Sequence, residues 1–306
     1  MGATGNQGGA VIKALQGNED FEIRAITRDP SCDKAIAIEP LVKEVVKADA
    51  DDEDSMVEAF KGCYGAFIVS NFWADMDVEH EMQVLRNCKN AAKTSGLKHV
   101  VLSTLEDTRP IINLAENKDT WKKLNEMDMY VPHFDGKGEA DQEYDDIPTT
   151  KLLTTFYYEN YITFGMGPSR GNDSDPYAIT FPMSDKKLSM VAISDIGKAV
   201  AAIFQDDTLI GKTVGIDSTV LTCKEIADVF AKVCGQPVQY NDVPVEVYAS
   251  FGFPGADDLA NMFRYYAEFN DTFVKNRDLG GLKEKIEVTD FEKWIEENKE
   301  AFGVKA

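Results

Sequence analysis

Gly2-Ala3-Thr4-Gly5-Asn6-Gln7-Gly8-Gly9, with Ala10, Val11, Ile12, Ala14 and Leu15 following at helical spacing, stands at the start of a 306-residue chain. Glycines at 2, 5 and 8 allow a tight turn and let the backbone approach a bound group closely. Free N–H groups at the start of the helix that follows attract negative charge. The pattern is that of a loop cradling the pyrophosphate of a dinucleotide, with Gly2, Ala3, Thr4, Gly5, Asn6, Gln7 and Gly8 as its candidate contacts.

Outward from this loop, residues 21–27 alternate apolar and polar side chains and read as a strand. Arg28 follows at its C-terminal edge, where a doubly wound sheet receives the adenosine ribose. An acidic residue there holds a 2′-hydroxyl, and an arginine accommodates a 2′-phosphate. Thr27-Arg28 therefore favours NADP(H), and the adjacent Asp29 leaves NAD(H) as a second option. Residues 42–47 form another strand with Ala48 and Asp49 at its end, beside the adenine, and 51–60 form a helix. The apolar strand 64–70 ends in Ser70-Asn71-Phe72, where a ribose and nicotinamide would pass. A helix over 78–95 and a strand over 99–103 continue the alternation. Strands alternating with helices at this spacing predict an α/β fold, a Rossmann-type doubly wound parallel sheet.

A formal net charge of −21 argues against direct binding of nucleic acid or an anionic membrane by bulk charge. The five cysteines, Cys32, Cys63, Cys88, Cys223 and Cys234, form neither a CxxC pair nor a Cys/His ligand cluster. No metal site is expected, and the reading is a reducing compartment: the cytoplasm, with the nucleus as a second address. No apolar stretch reaches membrane length.

Residues 105–129 are polar, and only 112–124 reads as a helix. The chain then enters Val131-Pro-His133-Phe-Asp-Gly-Lys137-Gly-Glu139. Short-chain dehydrogenases use a Tyr-x-x-x-Lys pair, in which lysine lowers the phenol pKa and grips the nicotinamide ribose. Here His133 and Lys137 stand at that spacing. Lys137 keeps the cofactor-holding meaning, whereas His133 reads as a helix-surface residue ahead of a proton donor. After the strand 150–156, Tyr157, Tyr158, Glu159 and Asn160 would cover the nicotinamide end. Residues 165–185 are loop with a short hairpin. A helix begins near 194, N-capped by Ser194 or Asp195. A strand covers 212–217, and Thr222-Cys-Lys-Glu225 is a capping box opening another helix. The remainder is mostly helical. The expected division is a nucleotide-binding domain of 1–150 plus about 188–206, interleaved with a smaller domain of about 151–187 plus 207–306.

The GxxGxxG spacing is that of extended and atypical short-chain dehydrogenase-like proteins. Together with Arg24-Ala-Ile-Thr-Arg-Asp-Pro30, His133-Phe-Asp-Gly-Lys-Gly-Glu139, Tyr158-Glu-Asn160, Ser194-Asp-Ile-Gly197 and Gly252-Phe-Pro-Gly-Ala-Asp-Asp-Leu-Ala-Asn-Met-Phe263, the chain resembles the NmrA-like family, most closely its HSCARG type of NADPH sensor. The resemblance spans nearly the whole chain. It implies a regulatory protein in which NAD(P) occupancy controls association with a protein partner or a second copy, without established turnover. It carries the pyrophosphate to Gly2–Gln7, the 2′-phosphate to Arg28 and the adenine to Ala48 and Asp49. The ribose and nicotinamide fall to Ser70, Asn71, Phe72, Lys137 and Tyr157 to Asn160. The alternative is an NADPH-dependent reductase of quinones or small carbonyl compounds.

One departure stands out. The apolar strand that the fold places before Gly2, at the centre of the sheet, is missing. Its neighbours, 21–27 and 64–70, would keep unpaired backbone groups at about 1–3 kcal/mol each. The chain is therefore expected to be a shortened reading of a longer one.

Overall fold

The structure, a computed structural model, describes residues 1–304. Six parallel strands form the half of the molecule that carries the glycine loop. β1 (Arg24–Thr27) pairs with β2 (Glu44–Lys47), and β3 (Gly65–Ile68), β4 (His99–Thr104), β5 (Thr149–Leu153) and β9 (Thr213–Gly215) pair in the order β3-β4-β5-β9. Buried strands of this kind are continuous apolar runs, as Val100, Val101 and Leu102 illustrate at 0% exposure. Helices cover both faces. On one, Val78–Thr94 packs on Glu53–Phe60 and Pro132–Asp141; on the other, Asn6–Leu15 packs on Ile193–Phe204. The last contact is close because Gly197 has no side chain: a Cβ there would lie 2.3 Å from the Ala10 carbonyl oxygen.

The sheet is split where the central strand was expected. Two single contacts span the gap: the Met1 ammonium donates to the Phe67 carbonyl at 2.7 Å and the Ala3 N–H donates to the Ile26 carbonyl at 3.3 Å. Residues 1–3 thus occupy the central slot between β1 and β3. Burial lowers the Met1 ammonium pKa to about 6.

The smaller half is helical with short strands. β8 (Lys187–Val191) pairs with β6 (Phe156–Tyr157) and antiparallel β10 (Thr219–Thr222), and β7 (Tyr177–Phe181) pairs in parallel with β11 (Val238–Asp242). In place of a hairpin within 165–185, β7 finds its parallel partner about sixty residues on, and only a bridge from Ser169 to Ala178 is local. An aromatic core including Tyr161, Phe181, Phe230, Phe263 and Phe291 holds these elements against Ala256–Glu268 and Phe291–Glu297. The capping box forms as read: Thr222 Oγ1 accepts from Glu225 N–H, and the Glu225 carboxylate accepts from Thr222.

Two expectations are corrected. The helix at 112–124 is absent; the chain forms only Arg109–Ile112 and a 3-10 turn, Lys118–Thr120. Tertiary contacts hold this segment instead. Asn261 donates to the carbonyls of Lys122 and Tyr130, and the Arg264 guanidinium lies 4.2 Å from the Trp121 ring centroid. The helix Ile193–Phe204 is capped by neither Ser194 nor Asp195. Its N-cap is Ala192, and the Glu159 carboxylate supplies the missing acceptor to Ile193 N–H at 3.1 Å. Asp195 is 0% exposed and serves Ser218, Thr289 and Lys198. A buried carboxylate needs such partners.

Candidate functional site

The glycine loop closes on itself. Gly2 has φ +68, and Gly5 N–H donates to the Gly2 carbonyl at 3.0 Å. Gly8 sits directly on that turn, where a Cβ would lie 2.1 Å from Gly2 O. The helix Asn6–Leu15 starts at Gly5 with no side-chain cap and no acidic residue in its first turn. Its leading N–H groups and dipole are left for an external anion. Gln7 donates to the Tyr157 hydroxyl at 2.7 Å, while its Oε1 is buried without a partner. An acceptor in that state asks for a donor from a bound group.

Arg28 is exposed at the end of β1 and has no hydrogen-bond or ion-pair partner among the described residues. Asp29 is occupied: its carboxylate accepts from Ser31 N–H at 2.9 Å and Ser31 Oγ at 2.6 Å, which holds its pKa below the usual value. The free charge at this edge is therefore positive. Ala48 is buried and extends the pairing with β1 through its N–H to Thr27 O, and Asp49 N–H donates to Ser55 Oγ.

At the far end, Ser70 leads into a 3-10 turn, Phe72–Ala74, after the exposed Asn71. Lys137 Nζ donates to Ser70 Oγ at 2.6 Å and to Glu81, a carboxylate only 2% exposed. The lysine is thus fixed in place and charge-balanced, and the other Glu81 oxygen is buried without a partner. Tyr157 reaches the glycine loop through Gln7. Tyr158 turns inward instead, packing on Phe291 and Trp294 and donating to Thr289 O, and Glu159 is the cap described above. Asn160 is half-buried and opens a short helix, Asn160–Thr163.

His133 is not on the surface. It is 5% exposed, with Nδ1 2.7 Å from Asp258 Oδ1, and its own N–H donates to Asp258 Oδ2 at 3.3 Å. The carboxylate selects the Nδ1–H tautomer and leaves Nε2 as the working nitrogen. The ring lies 4.9 Å from Trp73 and 6.0 Å from Phe72, centroid to centroid. The Asp135 carboxylate in the same helix fixes the approach by accepting from Thr108 N–H and Oγ and from the N–H groups of Tyr130 and Val131. Burial nevertheless pushes its carboxyl up to about 6. Phe72 and Asp258 also line an open cavity of about 580 Å³.

Sequence reading missed Asp258, Glu81 and Trp73. Asp258 lies 125 residues from His133, and no spacing rule links them; the only signal was its place in the narrow Gly252–Phe263 stretch. Glu81 looked like an ordinary acidic residue in a helix's first turn.

The NmrA-like family matches residues 1–295. The chain belongs to this family. Among relatives, it is 29% identical over 255 residues to the NmrA-like family domain-containing oxidoreductase malD of Malbranchea aurantiaca, covering 78% of this chain and 73% of that one. Among solved structures, NmrA, a negative transcriptional regulator in complex with NADP, superposes with a TM-score of 0.76 at 18% identity, covering 99% and 96% of the two chains. An NADPH-dependent quinone oxidoreductase from Escherichia coli, complexed with NADPH, gives 0.70 at 22%, covering 97% and 98%. At these identities the structures establish the shared Rossmann-type α/β fold of this NmrA-like protein. Among its described residues, no helix is long and apolar enough to cross a membrane.

Proposed function

We propose that this NmrA-like protein binds NADP(H) and acts as a redox sensor of the HSCARG type, cofactor occupancy controlling its association with a protein partner or a second copy. The observation that carries the reading is the unpaired Arg28 at the end of β1, in line with an uncapped helix start and a closed glycine loop. A 2′-phosphate there gains a charge-assisted partner that the 2′-hydroxyl of NADH lacks. Solved neighbours of the same fold are complexed with NAD, NADP and NADPH. The Lys137 ammonium retains a donor for the nicotinamide ribose. Pairing with Glu81 favours holding over acid activation, because the negative charge offsets the effect the lysine would have on a nearby proton donor. The test is Arg28→Ala: NADPH affinity should fall about 10- to 100-fold, as a charged hydrogen bond worth about 1.5–3 kcal/mol is lost. NADH affinity should hold. An unchanged NADPH/NADH ratio in titration calorimetry would sink the assignment, and light scattering with and without NADPH tests the coupling to association.

A second reading, a reductase of quinones or small carbonyl compounds, is favoured by one arrangement: the buried imidazole of His133, oriented by Asp258, which itself lines an open cavity together with Pro132, the residue before His133. A bound nicotinamide supplies hydride there. As the imidazolium, with Nδ1–H on Asp258, His133 would give its Nε2 proton to the reduced oxygen and return to the Nδ1–H tautomer, while Asp258 orients the ring and stabilises its charge. Under this reading, a quinone and carbonyl panel with NADPH gives turnover that His133→Ala lowers about 100-fold or more, with a smaller loss in Asp258→Asn. Absence of turnover on every substrate leaves the sensor reading in place.

A further inference from the structure

The cavity beside Asp258 has an uncommon lining. Its floor is apolar, with Phe72, Met76, Val78, Leu124, Met127 and Pro132, and every charged residue around it is a carboxylate: Asp75, Asp77, Glu79, Glu126, Asp257 and Asp258. With 53 acidic and 32 basic residues in the chain, composition alone would place roughly two lysines or arginines among six charged positions. Three of the six have partial compensation. Asp75 meets His80, Asp257 lies 3.9 Å from Lys122, and Asp258 meets His133. Asp77 is spent on capping the helix Val78–Thr94. Glu79 and Glu126 have no ion-pair or hydrogen-bond partner among the described residues. Phe72 is the aromatic side chain of the lining, and Trp73 packs on it without lining the cavity itself. The Trp73 ring is T-shaped to Phe72 at 5.2 Å and rests against Gly255, where a Cβ would come within 2.7 Å of it.

An apolar floor that includes the Phe72 ring, and a rim of carboxylates in which Glu79 and Glu126 are unpaired, are complementary to one ligand class. We propose that this cavity binds a flat aromatic cation, a ring system carrying an amidinium, iminium or ammonium charge, in preference to neutral or anionic analogues. The volume of about 580 Å³ suits a ligand of two or three fused rings. Its ring system covers the apolar floor and its charge gains the rim carboxylates and the Phe72 ring. This goes beyond the cofactor reading and does not depend on it: the same selectivity holds with or without turnover.

The experiment is equilibrium dialysis of the full chain against proflavine, a tricyclic cation, acridine, its neutral counterpart at mildly alkaline pH, and anilinonaphthalene sulfonate, an aromatic anion. The expected order is proflavine well ahead of the other two, with only the proflavine affinity falling as salt rises. Glu79→Gln combined with Glu126→Gln should weaken proflavine about tenfold and leave acridine unchanged. The control removes the same charge at Asp173 and Asp185, which are exposed and outside the cavity, and should change little. Equal binding of acridine, no binding of proflavine, or equal weakening in the control pair would each overturn the proposal. NADPH titration of the same samples reports on the cofactor reading separately.

Discussion

Gly8→Ala is expected to abolish NADPH binding, while Gly9→Ala leaves it close to that of the unaltered chain. The two substitutions add the same methyl group one residue apart on one helix turn. At Gly8 the new Cβ would stand 2.1 Å from Gly2 O and 2.6 Å from Gly2 C, both backbone atoms that cannot rotate away. At Gly9 the nearest atom is Ala3 O at 3.8 Å, an ordinary contact. To admit the methyl, the loop must lift from the helix, which opens the bond from Gly5 N–H to Gly2 O and turns the helix's first N–H groups off the anion. Overpacking of this kind costs about 1–3 kcal/mol of stability, and all the cofactor contacts that depend on the loop. Calorimetric titration with NADPH and a thermal melt on both variants make the check. Equal binding by both would show that the pyrophosphate is held elsewhere.

Arg277→Ala is expected to lower unfolding free energy by about 3–5 kcal/mol, the usual result of stranding one member of a buried ion pair. Arg277 is 0% exposed. Its Nη1 and Nη2 meet the two Glu106 carboxylate oxygens at 2.6 and 2.8 Å, its Nε donates to Thr154 O at 2.9 Å, and its guanidinium lies 3.8 Å from the Phe273 ring centroid. One side chain therefore ties the C-terminal helices to the ends of β4 and β5. Alanine leaves the Glu106 carboxylate facing a cavity with no counter-charge. The double variant Arg277→Met with Glu106→Leu should recover most of the loss, because it removes both desolvated charges together and refills the volume. Denaturant midpoints for the single and double variants test this. A double variant no more stable than the single one would mean that the hydrogen bond to Thr154 and the contact with Phe273 carry the effect, not the charge pair.

Much of the parallel-stranded half was legible because its signals are local. Strands β1, β2 and β3 fell inside the stretches read for them and β4 ran one residue beyond its expected end, since alternation or an apolar run is a local signal. Helix Val78–Thr94 ended within a residue of its expected bound, set by an apolar period and a following glycine. The helix expected at 112–124 failed for the opposite reason. That stretch has weak propensity and no stripe, so long-range contacts from Asn261 and Arg264 set its path.

By itself the sequence determined the α/β alternation, the glycine loop, the positive residue at the end of β1, and the spacing that puts His133 and Lys137 one helical turn apart. Each of these follows from residues within a few positions of one another, where backbone geometry fixes what is near. Only the tertiary structure decided what those side chains became. It buried His133 against Asp258, balanced Lys137 with Glu81, turned Tyr158 into the core and left Arg28 free. It also gathered one sign of charge around an apolar floor. Electrostatic partners and cavities are set by distances in space, and in this chain the decisive pairs lie from 56 to 125 residues apart.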